Sequence, residues 1–200
     1  GSICAFLDEI LEDAGYMVGR YISPTIFAYL ERFQINKVYM GEDEFAVYLD
    51  RVRRVADAMV SDGWHRPTSF ETETAVAFCW FLDRNVDVLL LETGMGGLED
   101  ATNVCTHPLC TIIASISMDH MRFLGNTIED IYRQKLGIMK DGVPCVSYPL
   151  QVGLQPLWLR KCDEKSTADR SVMIDPKNIH VQSSGLDGSV FEYKEECYRL

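Results

Sequence analysis

Three apolar runs in this chain each end in a side chain able to bind a cation or move a proton. YMVGRYIS closes on Ser23, VDVLLL is followed by Glu92, and CTIIASIS is followed, after Met118, by Asp119 and His120. In an open parallel sheet, ligands bind beyond the carboxyl ends of the strands. If these runs are strands of such a sheet, a hydroxyl, a carboxylate and an imidazole are delivered to one edge. An oxygen-rich set with one nitrogen suits a hard divalent cation, Mg²⁺ above all, with water and phosphate oxygens in its other positions. Each residue alone also has an ordinary reading. Glu92 can accept N–H bonds from the glycine turn behind it, His120 can be a loop histidine, and Ser23 before Pro24 can be a turn residue.

Lys135 adds a fourth group. In TIEDIYRQKLGIMK, Thr127 and Asp130 form a capping-box-like start, Ile128, Ile131 and Tyr132 mark the inward stripe, and Lys135 stands seven residues after Ile128. A lysine on a buried face is costly unless it meets an anion or loses its charge. The alternative is a lysine that snorkels to solvent at the helix end. The glycines of GMGG do not make a dinucleotide fingerprint, because Glu99 stands where the third glycine belongs and no helix pattern begins there. Gly1 and Ser2 run directly into the first amphipathic helix, as the last residues of a phosphate loop would. An expression scar gives the same two letters.

The elements that must hold these residues can be read from periodicity. Ile3, Phe6, Leu7, Ile10 and Leu11 form a helical stripe ended by Gly15, and the YMVGRYIS strand stops at Pro24. An irregular stretch to about Met40 precedes GEDEFAVYLDRVRRVADAMVSDG, a long amphipathic helix ended by Gly63. FETETAVAFCWFLDRN is a further helix. VDVLLLE is hydrophobic on both faces, as a strand inside a parallel sheet is. The 127–140 helix and the strand VPCVSY follow. This order predicts an α/β, doubly wound, mostly parallel sheet flanked by helices. Beyond Gln151 the pattern predicts a short helix to Arg160 and strands near 179–182, 190–193 and 197–200, with Asp187 and Gly188 as a hairpin turn.

Composition narrows the function classes. Two hundred residues, 47% hydrophobic and 24% charged, suffice for one α/β domain and exclude a disordered or low-complexity chain. Nineteen basic against 30 acidic residues leave a net charge of −11, which repels nucleic acid and anionic membrane surfaces. Seven cysteines without a C-x-x-C pair read as buried, reduced thiols. The longest apolar stretches are too short to span a bilayer, so the expected address is the cytoplasm, with no membrane partner.

LETGMGGLEDATN resembles the E-V-G-L-G-G-R-x-D-A-T-N signature of folylpolyglutamate synthases and bifunctional dihydrofolate synthases, members of the Mur ligase superfamily. ISMDHMRFLGNTIEDIYRQKLGIMK is similar to that family's D-H-x-x-x-L-G-x-T segment with its K-A-G-I-x-K end. RYISPTIFAYLERFQIN resembles its S-P-H-L loop and R-I-x-I-N-G run, and PTSFE its T-x-F-E segment. The resemblance covers nearly all of residues 1–150 and is loose over 151–200. It implies that residues 1–200 are part of one central ATP-binding domain, incomplete at both ends. The short strands of 151–200 would continue that domain, and a C-terminal glutamate-binding domain would be absent.

The resemblance also implies roles. Glu92 would hold Mg²⁺ at the ATP β/γ-phosphates, and Ser23 and His120 a second Mg²⁺. Lys135 would be carbamylated, its added carboxylate supporting that metal. Gly1 and Ser2 would close the phosphate loop G-T-N-G-K-G-S, Ser2 as a metal ligand, with Asn103 at the nucleotide. Pro24, Phe70, Glu71 and Asp119 would contact substrate. The implied reaction is ATP-dependent addition of L-glutamate to the γ-carboxylate of a folate through an acyl phosphate, with dihydropteroate as a further acceptor, by a monomer. Residues 1–200 alone would be inactive. Thr25 replaces the family's usual histidine, Leu98 stands where arginine is frequent, and Gln134 and Leu136 flank the lysine in place of Glu and Ala. Two other readings stay open: a peptidoglycan-type Mur ligase and a non-catalytic nucleotide-binding module.

Overall fold

The computed structural model describes every residue except Val152, Leu186, Asp187 and Leu200. The chain falls into two compact units, Gly1–Cys105 and Thr106–Leu200. Both are built of strands and helices in the expected α/β manner.

In the first unit, α1 (Ser2–Asp13) leads through Gly15, at φ +89°, into β1 (Val18–Tyr21). The stretch expected to be irregular contains β2 (Phe33–Ile35) and β3 (Val38–Tyr39), joined by a turn at Asn36 and Lys37, both at positive φ. Next come α2 (Glu42–Ser61), α3 (Ser69–Asp83) and β4 (Val88–Leu91). Three acidic residues in the first turn of α2 complement its dipole. The sheet order is β3-β2-β1-β4, with β1 and β4 parallel and the hairpin strands antiparallel. Tyr21, Phe33, Met40, Val76, Ala77, Trp80 and Phe81 fill the core under α2 and α3.

Two expectations are corrected here. β4 is half-buried rather than fully buried, because among the described residues it is the end strand of its sheet and pairs with β1 alone. The apolar stripe of α1 is buried only in part, with Leu7 and Leu11 half-buried. Ile3, Phe6 and Ile10 are exposed, while Asp8 is fully buried against Arg20 of β1, 3.0 Å away. An ion pair with a neighbouring strand, rather than hydrophobic periodicity, sets the rotation of this helix.

The second unit holds a parallel sheet, β5-β6-β7 (Thr111–Ile113, Cys145–Ser147 and Val172–Met173). Its helices are α4 (Met121–Leu124), α5 (Ile128–Leu136) and α6 (Gln155–Glu164). Ile113, Tyr132, Leu136, Met139, Cys145, Leu154, Trp158 and Cys162 form the core. The last strands, β8 (Ile179–Gly185), β9 (Gly188–Tyr193) and β10 (Glu196–Arg199), make an antiparallel sheet close to the expected positions. Gly188 pairs with Gly185; the expected turn residue Asp187 and the strand end Leu200 lie outside the described residues.

All seven thiols are free, but only Cys145 and Cys162 are buried, and Cys110 and Cys197 are exposed. Burial pushes the Cys145 thiol up to about 12. Among the described residues, no helix is long and apolar enough to cross a membrane.

Candidate functional site

Because β1 and β4 run parallel in register, Tyr21 opposite Leu91, the residues that follow them emerge at the same edge. The Glu92 N–H donates to the Tyr21 carbonyl at 2.9 Å, extending the ladder by one bond. The Ser23 N–H then donates to Glu92 Oε2 at 3.2 Å, and Gly1, the residue before α1, lies beside the Glu92 carboxylate. A carboxylate, a hydroxyl and the positive end of a helix thus meet within the first unit, with Ser2 exposed as the first residue of that helix. Glu92 does accept a backbone N–H, but from Ser23 rather than from the glycine turn.

The Ser23 hydroxyl decides whether a cation suits this place. Its Oγ is buried and has no hydrogen-bond partner among the described residues. A buried hydroxyl left unpaired costs free energy unless something fills the position. Beside a carboxylate it is half of a hard oxygen pair, which fits Mg²⁺, an ion that keeps several waters and takes few protein ligands. Among the described residues no group of three or more His, Cys, Asp or Glu could hold a metal unaided. The remaining coordination would come from water and substrate oxygens.

The loop after Glu92 is held by Asp100, the aspartate of the D-A-T-N run, to which no site role was assigned. Asp100 accepts from the Met95 N–H at 2.8 Å, the Thr102 N–H at 3.0 Å and the Thr102 hydroxyl at 2.6 Å. A 3₁₀ turn over Ala101–Val104 follows, and Asn103 Nδ2 donates to the Leu98 carbonyl at 2.9 Å. The Asp-x-Thr spacing of an Asx turn was the available signal. Gly94 is required by close approach: a Cβ there would stand 2.6 Å from Phe70 Cζ. Phe70 in turn stacks on Tyr21, with ring centroids 6.0 Å apart.

Other predicted residues have local tasks. Glu71 completes the capping box of α3, its Oε2 accepting from the Thr68 N–H at 2.7 Å and hydroxyl at 2.8 Å. Those bonds, the Thr68 N–H first, hold the Glu71 carboxyl below the ordinary glutamate value. Pro24 is exposed and follows a cis peptide bond.

In the second unit, His120 takes the left-handed backbone, φ 50°, directly before α4. Non-glycine residues in that region cluster at functional sites. Its N–H donates to Asp119 Oδ1 at 2.7 Å, its Nε2 lies 3.7 Å from Asp119 Oδ2, and both side chains are exposed. The expected cap of α5 is present, with Asp130 N–H donating to Thr127 Oγ1 at 3.1 Å. Lys135 is half-buried on this helix and its amine has no ion-pair or hydrogen-bond partner among the described residues. The structure therefore brings Gly1, Ser23 and Glu92 together in one unit, and Asp119 and His120 together in the other.

No protein-family model matches the chain. Over 201 residues it is 36% identical to a dihydrofolate synthase/folylpolyglutamate synthase of Bacillus subtilis, covering 99% of this chain and 46% of the relative. A folylpolyglutamate synthase of Thermotoga maritima superposes with a TM-score of 0.87 at 31% identity, covering 99% of this chain and 45% of that one. An FPGS–AMPPCP–folate complex superposes with a TM-score of 0.85 at 29% identity, over 95% of this chain and 47% of that one. The chain spans less than half the length of each of these three proteins.

Proposed function

Because the chain belongs to the folylpolyglutamate and dihydrofolate synthase family, we propose that it carries the ATP-handling part of a ligase joining L-glutamate to the γ-carboxylate of a folate. The observation that supports this most is the pairing of Ser23, with its unpartnered hydroxyl, and Glu92 at one strand edge beside the start of α1. The FPGS–AMPPCP–folate complex is a second support, since a nucleotide analogue and a folate are bound together in that similar protein.

A carboxylate resists attack by an amine because its charge is delocalised and oxide is a poor leaving group. Transfer of the ATP γ-phosphoryl group to one carboxylate oxygen gives an acyl phosphate and ADP. The amine of glutamate then attacks the carbonyl carbon; the carbon–oxygen bond to phosphate breaks, phosphate leaves with the electron pair, and the amine's proton goes to water. Catalysis here is mainly electrostatic, since negative charge gathers between phosphate and carboxylate oxygens.

Glu92 would hold one Mg²⁺ and Ser23 another, with Ser2 at the helix start. Magnesium, when bound, neutralises that charge and aligns the two reactants. The first N–H groups of α1 would supply donors to the same anion. Asp100 keeps the loop behind Glu92 in one conformation, Phe70 buttresses it from α3, and Phe70 and Glu71 remain candidates for substrate contact. Pro24 and Asp119 are the exposed candidates for substrate contact, and Asn103 for nucleotide contact. From the second unit we assign His120 as a nitrogen ligand of a divalent cation. Lys135 is the amine that adds CO₂, loses a proton and becomes an anionic oxygen donor. Dihydropteroate is a further acceptor on this reading, in keeping with the double name of the Bacillus relative. We place the enzyme in the cytoplasm, as a monomer, in keeping with its free thiols.

The test uses the full gene product that carries these residues. ADP release in the presence of folate, glutamate and Mg²⁺, with a product heavier by one glutamyl residue, is the expected result. Glu92→Gln should lower that rate by at least about 10²-fold, as loss of transition-state charge stabilisation does. An unchanged rate in Glu92→Gln would overturn the metal assignment of Glu92, and a wild-type protein without folate-dependent ADP release would favour the non-catalytic reading.

A further inference from the structure

Glu31 has no part in the chemistry above, yet it is 7% exposed and commits one oxygen to three successive backbone amides. Its Oε2 accepts from Ile26 N at 3.1 Å, Phe27 N at 2.8 Å and Ala28 N at 3.3 Å. These bonds, that from Phe27 first, hold its carboxyl below the ordinary glutamate value, the mark of a carboxylate kept ionised by amides. The three amides belong to the segment directly after Ser23 and Pro24. On it, Ile26 is 79% and Phe27 88% exposed.

Two large apolar side chains at that exposure gain nothing from burial in this unit, and the bonds beneath them keep the backbone from folding inward. The anchor is itself braced. The Glu31 carbonyl accepts from Gln34 Nε2 at 2.5 Å, Gln34 Oε1 accepts from Arg20, and Arg20 pairs with Asp8 of α1. Past the segment, the Tyr29 hydroxyl donates to Glu73 Oε1 at 2.6 Å, and Arg32 pairs with Glu73 while lying 4.6 Å over the Tyr29 ring. The segment is therefore fixed at both ends, with its apolar side chains turned to solvent a few residues from the Ser23 hydroxyl.

We propose that Glu31 is a positioning residue, holding Ile26 and Phe27 as a preformed apolar ledge for the flat conjugated ring of the acceptor substrate. This rests on the ligase reading above. A ledge ordered before binding lowers the entropy cost of capturing the ring. It touches the part of the acceptor remote from the reacting carboxyl, so its loss weakens binding in ground and transition state alike and appears in KM.

The test is a kinetic cycle on the full gene product, with Glu31→Ala, Glu31→Gln, Phe27→Ala and the Glu31→Ala/Phe27→Ala pair. Glu31→Ala should raise KM for folate about tenfold, the loss expected for removing a charge-assisted anchor. The kcat and the KM for ATP should stay within about twofold, as for uniform binding. Glu31→Gln, which keeps one accepting oxygen, should restore part of the loss, and the double variant should be no worse than Glu31→Ala alone. Equal loss in kcat, or additive effects of the two positions, would overturn the proposal.

Amide exchange provides a readout apart from activity. Ile26, Phe27 and Ala28 should be protected in the wild type and released in Glu31→Ala, with β1 and β4 unchanged. Free exchange in the wild type would also overturn it. Protected amides in a protein without folate-dependent ADP release would overturn instead the ligase reading, and with it the folate ring as the ledge's occupant.

Discussion

Removing the carboxylate of Asp8 should unsettle α1 more than any apolar truncation on that helix. Asp8 is fully buried, and Arg20, 15% exposed by its side chain, pairs with it at 3.0 Å. In Asp8→Ala the guanidinium keeps Gln34 Oε1 but loses its counter-charge. Stripping one partner from a buried pair commonly costs about 3–5 kcal/mol; the partial exposure of Arg20 and its remaining acceptor bring the expectation to about 2–3 kcal/mol. For a chain of this size that is a fall of about 5–10 °C in Tm.

Arg20→Met alone should cost at least as much, because it leaves the better-buried charge uncompensated. Asp8→Leu with Arg20→Met should cost less than the sum of the singles by about 2 kcal/mol, since two apolar side chains replace the pair and neither charge is stranded. Urea denaturation of the four proteins, followed by the fluorescence of the buried Trp80, measures the cycle. Additivity within about 0.5 kcal/mol would refute the argument that this pair orients the helix.

Further predictions concern the edge around Glu92. Gly94→Ala should destabilise the protein by about 1–3 kcal/mol through overpacking on Phe70, and Phe70→Leu in the same chain should recover part of it; equal melting temperatures for Gly94→Ala and wild type would contradict this. Glu71 has a folded pKa below its unfolded one, so its stabilisation is complete above the unfolded value and is lost as pH falls through the folded value. Glu71→Gln should therefore flatten the acid limb of the stability curve while Asp8, whose pKa burial raises, acts with the opposite sign. For Lys135, ¹³C-bicarbonate should give a carbamate resonance that Lys135→Arg abolishes; the same spectrum from both proteins would remove that assignment.

Much of the fold was legible because local rules and tertiary packing agree. Gly15 and Gly63 follow α1 and α2 at positive φ as helix-ending residues do, and the Thr127 cap sits where the apolar periodicity begins. Part of the edge site was legible for the same reason, since the strand-end rule put Ser23 and Glu92 side by side, whereas Asp119 and His120, expected at the same edge, belong to the other unit. What escaped depends on partners distant in sequence or on backbone. Asp8 turns inward for an arginine twelve residues later, against the stripe formed by Ile3, Phe6 and Ile10. Phe33–Ile35 and Val38–Tyr39 are too short for a period-two signal. Glu31 bonds to amide groups, which every residue carries and no letter marks.

A crystal structure of the full gene product with Mg²⁺ and a non-hydrolysable ATP analogue tests the central claim most directly. The account predicts a cation about 2.0–2.1 Å from Ser23 Oγ or a Glu92 oxygen, bridging to phosphate or acceptor oxygens. A nucleotide bound elsewhere, with the Ser23 hydroxyl and the Glu92 carboxylate bonded only to protein, would contradict it.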